Sequence, residues 1–189
     1  MAEISPPTVV EQVHPGGFFR SIERGDRLAN LLEFAAQSQR LAVVGNTDRD
    51  VVDISERLRL SGVPIFEAVE GANTSVMQAF LADGAHTLVA HSAYVLRHGP
   101  IPITMAVHLR PAPSVREYAK RLEALPAAVH LTFVVPEDRA RADSLQSHFQ
   151  HDRGYGEPVV VAIEDLIDLT DGGKPATLVT QRRRFPLGR

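Results

Sequence analysis

TLVAHSAYVLRHGPIPITMAVHLRPAPSVREYAKRL, residues Thr87 to Leu122, carries the alternation from which the architecture can be read. An apolar run, His86–Ala90, opens the segment, and a second, Ile103–Leu109, follows an interruption rich in Gly and Pro. Beyond it, Val115, Tyr118, Ala119, Leu122 and Leu125 recur at helical spacing, and Ser114 stands just ahead of them as an N-cap. Nearly continuous apolar strands that alternate with amphipathic helices are what a parallel sheet covered on both faces requires.

The same pattern extends to both sides. Leu41–Gly45, Ile65–Val69 and Val129–Val135 read as further strands. Between them, Asp26–Gln37 places Leu28, Leu31, Leu32 and Ala35 on one helical stripe, and Val51, Ile54 and Leu58 form another. Asn46, Thr47 and Asp48 are cap candidates for the second helix. Glu137 and Asp138 after Pro136 suit the positive N-terminal end of a later one. The expected fold is one α/β domain, doubly wound, with a mainly parallel sheet flanked by helices. Residues 25–153 form its main body. Residues 1–24 are a lead-in with an edge strand, Thr8–Val13, and a loop at Pro15-Gly16-Gly17. Residues 154–170 add a strand, Pro158–Ile163, and a short helix, and residues 171–189 form a flexible basic tail. No internal repeat is present.

Composition narrows the function. At 189 residues and 44% hydrophobic content the chain fills one ordinary core. It has no apolar run long enough to span a bilayer and no signal-type N-terminus, so a soluble, cytoplasmic protein with no membrane role is expected. The absence of cysteine excludes disulfides, Cys-ligated zinc, iron–sulfur clusters and a thiol nucleophile. The net charge of −3 divides unevenly: Arg182, Arg183, Arg184 and Arg189 give the last nine residues +4, leaving −7 on residues 1–180. Such a body disfavours phosphate-rich partners, whereas the tail favours them.

The Thr87–Leu122 stretch resembles motifs V and VI of the DEAD-box RNA helicases, without a gap. Leu41–Thr47 is similar to their motif IV, Phe80–Gly84 to their phenylalanine-and-glycine helix end, and Leu131–Asp138 to the strand and helix start that close the second helicase domain. The resemblance spans roughly residues 9–150 and implies a single RecA-like domain of the C-terminal helicase type. Its motifs are weak singly, and their order and spacing carry the likeness. By that resemblance Asn46, Thr47, His91, Ser92, Arg97 and Arg121 are candidate nucleic-acid or phosphate contacts, and Arg182, Arg183 and Arg184 join them on the charge of the tail. His91 and Ser92 replace the threonine and aspartate that help hold RNA.

The departures matter as much. Leu96, Arg97 and Gly99 match the arginine, glycine and acid of motif V, and no register recovers the acid. Lys120, Arg121, Ala124 and Ala127 match the histidine, the arginine and the two γ-phosphate-directed arginines of motif VI. An arginine directed at the transferred phosphoryl group is worth about 10³–10⁵ in rate, and alanine offers no donor. Gly172-Gly173-Lys174 runs into Pro175 and is no P-loop. The resemblance therefore implies a degenerate, non-catalytic helicase-like module, with no autonomous ATPase and no required cofactor, although binding of ATP without hydrolysis stays open. Its partner would be a helicase or RNA-associated protein, or RNA through the tail. The alternative is a phosphate-binding or small-molecule α/β enzyme with only fold-level likeness to helicases.

Other constellations have plainer explanations. Arg97-His98-Gly99 is similar to the nucleophile loop of the histidine phosphatases, but it follows a middle strand and lacks a second motif, so a polar loop accounts for it better. His148 and His151 could share a helix face, yet no further ligand completes a metal set, and no metal is expected. Ser144 and Ser147 beside His148 lack the elbow and orienting acid of a nucleophile. Asp48, Asp50 and Asp53 cap and charge a helix start more readily than they form an acidic pocket. Arg110, Arg116, Lys120 and Arg121 read as a modest basic surface.

Overall fold

The computed structural model describes residues 9–38, 40–83, 87–127, 129–154, 159–162 and 166. Within them the strands are β1 (Val9–His14), β2 (Gly17–Ser21), β3 (Leu41–Gly45), β4 (Ile65–Ala68), β5 (Thr87–His91), β6 (Met105–His108), β7 (Val129–Val134) and β8 (Val159–Ala162). The helices are α1 (Arg27–Gln37), α2 (Asp48–Leu60), α3 (Thr74–Ala82), α4 (Ser92–His98), α5 (Val115–Ala124) and α6 (Arg139–Ser147), the last continued by a π-helical turn, His148–Asp152. One sheet holds all eight strands in the order β4-β5-β3-β6-β7-β2-β1-β8. Only β1 runs against the others, so the expected doubly wound, mainly parallel α/β architecture is the one observed.

Strand alternation divides the core into two faces. Leu41, Val43, Val89, Val107, Leu131 and Phe133 point to the side covered by α1 and α2. Ala42, Val44, Leu88, Ala90 and Ala106 point to the other, where α3, α4 and the end of α5 pack. Tyr118 and α6 extend that second layer over Phe19 and Val134. Burial on both faces explains why these strands read as unbroken apolar runs.

Most capping expectations hold. Thr47 is the N-cap of α2 in a capping box with Asp50, and Ser114 caps α5 by accepting from the Glu117 N–H at 3.1 Å. The turn Pro136–Asp138 leads into α6 as a 3-10 segment.

Two segments differ from expectation. Gly17 is not part of a loop but the first residue of β2, which lies parallel to β7 and buries Phe18 and Phe19 on opposite faces. The turn itself is Pro15-Gly16, with Gly16 at φ 74°. A Cβ on Gly17 would meet the His14 ring at 1.9 Å, so the close approach of β1 explains glycine there. Arg97 and His98 are the last turn of α4 rather than a polar loop. Its inward residues, Tyr94 and Val95, are buried, with the Tyr94 hydroxyl donating to the Asn73 carbonyl and accepting from the Met77 N–H. The expected ends Thr8, His86, Pro158 and Ile163 and the tail at 171–189 lie outside the described residues.

Candidate functional site

The carboxyl ends of β3 and β5 lie side by side, with Gly45 paired to His91. This register brings Asn46, Thr47, His91 and Ser92 to one corner of the sheet, and each is engaged there in local structure. Thr47 Oγ1 accepts from the Asp50 N–H at 3.1 Å, and the Asp50 carboxylate accepts from the Thr47 N–H at 3.2 Å. His91 is the N-cap of α4, its Nδ1 accepting from the Ala93 N–H at 3.0 Å, and Ser92 behind it is buried. Asn46 donates to the Pro111 carbonyl at 3.1 Å and accepts from Arg121 at 2.7 Å.

Arg121 does not belong to a basic surface with Arg110, Arg116 and Lys120. Its side chain is 0% exposed, pointing inward on the α5 stripe that also carries Tyr118 and Leu125. It bonds Asn46 and pairs with Glu117 one turn earlier. Burial pulls its pKa down and Glu117 opposes the shift. Arg110 is also consumed, holding Asp138 through two bonds of 2.8 Å each. Burial would raise the Asp138 carboxyl, but its bonds to Arg110 and the charges of Arg110, Arg141 and Arg27 together keep the group below its ordinary range.

Arg97 is exposed in the last turn of α4 and donates to the Glu70 carbonyl at 3.0 Å. The Glu70 N–H in turn reaches the Asp48 carboxylate at 2.7 Å, so Arg97 and Asp48 clamp the turn after β4. Asp50 sits in the α2 capping box and Asp48 in the first turn, in keeping with helix-start roles, whereas Asp53 lies a turn further on and pairs with Arg49 at 3.8 Å. His148 bonds Asp152 at 2.6 Å, and no cluster of three or more metal-ligating side chains occurs among the described residues. Arg182, Arg183 and Arg184 lie outside them.

Position 124 has a specific environment. Ala124 is 8% exposed and lies under the segment that joins α4 to β6. The Ile101 N–H donates to its carbonyl at 2.8 Å, and a Cβ on Gly99 would come within 2.7 Å of the Ala124 Cβ. Gly99 and Ala124 are thus packed on one another. Ala127 packs at the margin of the same core.

Two groupings had no local signal in the sequence. His14, His108 and His130 are separated along the chain but meet under α5: His108 Nε2 lies 3.2 Å from His130 Nδ1, and His14 Nε2 lies 3.0 Å from the Tyr118 hydroxyl. His14 Nδ1 is 2.9 Å from the Pro15 carbonyl, which can only accept, so Nδ1 carries the proton and Tyr118 donates to Nε2. Burial lowers all three imidazoles, His130 to about 3. The second grouping is a crevice of about 430 Å³, into which Arg24, Arg27, Arg49, Arg57 and Arg110 converge from three pieces of chain.

The sequence matches no known protein family and no curated protein. Solved structures match in fold. The C-terminal domain of the DEAD-box protein Dbp5 superposes at TM-score 0.53 with 16% identity, covering 72% of this chain and 83% of that one. The Hef helicase domain of Pyrococcus furiosus gives TM-score 0.48 and 16% identity over 61% of this chain, which spans only 25% of that one. A CRISPR-associated protein gives TM-score 0.47 and 14% identity over 96% of this chain and 24% of its own length. The Dbp5 likeness gives this chain the fold of a helicase C-terminal domain, RecA-like and α/β. At that identity it speaks to the fold alone.

Proposed function

We propose that this chain is a non-catalytic module of helicase C-terminal type that serves as a binding or regulatory partner of an RNA-associated protein. The observation that carries the reading is position 124, where motif VI would supply a γ-phosphate-directed arginine and the chain has an alanine packed beneath Gly99 and Ile101. Restoring the side chain alone would not recreate an arginine finger, because the covering segment occupies its exit. Arg121, the retained member of the motif on this reading, is fully buried with its Nη2 held by Asn46 and Glu117, while Nε and Nη1 have no hydrogen-bond partner among the described residues. On this reading the scaffold persists without the chemistry, and autonomous ATP hydrolysis is not expected.

A protein partner is favoured over RNA on the folded body by its charge of −7 over residues 1–180, since counterion release requires the opposite sign. RNA contact, if made, belongs to the +4 tail. Fluorescence anisotropy of a single-stranded RNA, titrated with the full chain and with a chain ending at Thr180 at two salt concentrations, separates these cases. The reading expects the shortened chain to leave the RNA free. Salt-sensitive binding of equal strength by both chains would place an RNA site on the body and refute it.

A further inference from the structure

Thr47 separates two environments: on one side is the Asn46–Arg121 bond, and on the other the arginine-lined crevice. The crevice opens between the carboxyl ends of β3 and β6, adjacent strands whose next helices go to opposite faces, α2 to one and α5 to the other. Ligands of open α/β sheets bind at such a switch point. Its volume of about 430 Å³ suits a small molecule, for which roughly 300–1,000 Å³ is usual.

Charge pairing inside it is incomplete. Arg24 bonds Glu137 at 3.0 Å, Arg110 holds Asp138, and Arg49 faces Asp53 at 3.8 Å. The lining carboxylate of Asp50 accepts the Thr47 N–H through Oδ2 and forms no ion pair within 4 Å with an arginine of the crevice. Arg27 and Arg57 have no ion pair within 4 Å among the described residues, and Arg27 Nε is buried without a hydrogen-bond partner. Burial, and next the like charge of Arg110, lower the Arg27 pKa, although Asp50 and Asp138 oppose this. The guanidinium therefore sits where an added anion would relieve both its lost hydration and its repulsion.

We propose that this crevice binds a phosphorylated small molecule, with its phosphoryl group received by Arg27 and Arg57. A phosphoryl group offers three oxygens and nearly two charges to two guanidinium forks, whereas a carboxylate satisfies one fork. The concave shape and the neighbouring Asp50, Asp53, Glu137 and Asp138 fit a compact ligand better than an extended strand, which needs a row of cations. The inference goes beyond the partner-binding reading and stands independently of it.

Isothermal titration calorimetry on the full chain tests it, with pyrophosphate and ADP as probes and adenosine as the phosphate-free arm. Pyrophosphate and ADP are expected to bind and adenosine not to. Arg27→Gln and Arg57→Gln should each weaken the phosphate probes by about tenfold or more, the loss of a charge-assisted hydrogen bond, with Arg153→Gln unchanged as a control on a different surface. Should Arg27→Gln disturb folding, Arg57→Gln on the exposed wall carries the test by itself. No heat from either phosphate probe at millimolar concentration, or equal affinity in wild type and both variants, overturns the proposal. So does single-stranded RNA binding that depends on Arg27 and Arg57 but that pyrophosphate cannot displace, because it would assign the crevice to nucleic acid.

Discussion

Replacing Arg121 with alanine removes a buried guanidinium, its bond to Asn46 and the packing of its stem beneath α5. Destabilisation of about 2–4 kcal/mol is expected in urea unfolding, the range for a truncated core side chain that also breaks a buried polar contact. A solvated surface arginine would cost less than about 0.5 kcal/mol, so the measurement distinguishes the two roles. The sequence made Arg121 conspicuous but not its direction. The apolar residues of α5 suggest a stripe through Ala119 and Leu122, and only the packing rotates Arg121 inward. The histidines yield a second prediction. His14, His108 and His130 are held below their ordinary value of 6.5, so the folded state resists protons that the unfolded chain accepts. Their contribution is fully present above about pH 6.5 and is lost as pH falls toward the folded value, about 3 for His130. Between pH 7.5 and 5.0, His130 alone should cost roughly 2 kcal/mol of unfolding free energy, and His130→Leu should flatten that slope. Stability unchanged over this interval would show that these imidazoles titrate normally in the fold.

Helix α5 and the segment before β6 must be considered together. Ala124→Arg is expected to destabilise by more than about 2 kcal/mol, since it forces a charge under Gly99 and Ile101. It is not expected to create ATP turnover. Thermal unfolding of the variant beside its activity checks both statements, and a stable, ATP-hydrolysing Ala124→Arg protein would contradict them. Legibility also varied by element. β3, β5, β6 and β7 could be read because burial on both faces leaves an unbroken apolar run. β2 was hidden because its first residue is a glycine next to a turn and its five residues hold a mere two aromatics as a signal. Its glycine is there because His14 crosses above it, a contact between strands that no local pattern encodes. α4 was obscured in the same way: its seven residues end in Arg97-His98, which reads as a polar loop until Tyr94 is seen tying it to α3.

For the molecule as a whole, order and spacing of weak motifs conveyed the scaffold, and the fold matches that of the Dbp5 C-terminal domain. The arginine crevice could not be read this way. Arg24, Arg27, Arg49, Arg57 and Arg110 are spread over more than eighty positions, and only the folding of α1 and α2 onto one face of the sheet draws them together. Among the described residues, the candidates named from motifs also serve as caps and staples, because the carboxyl edge of a parallel sheet is where helix starts must be satisfied. What distinguishes this chain from an enzyme of the same architecture is the proposed loss of phosphoryl-transfer chemistry. ATP turnover by the full chain, measured with and without saturating single-stranded RNA, tests that most directly. The account predicts phosphate release indistinguishable from buffer under both conditions. RNA-stimulated release that copurifies with the folded chain through successive columns would contradict it.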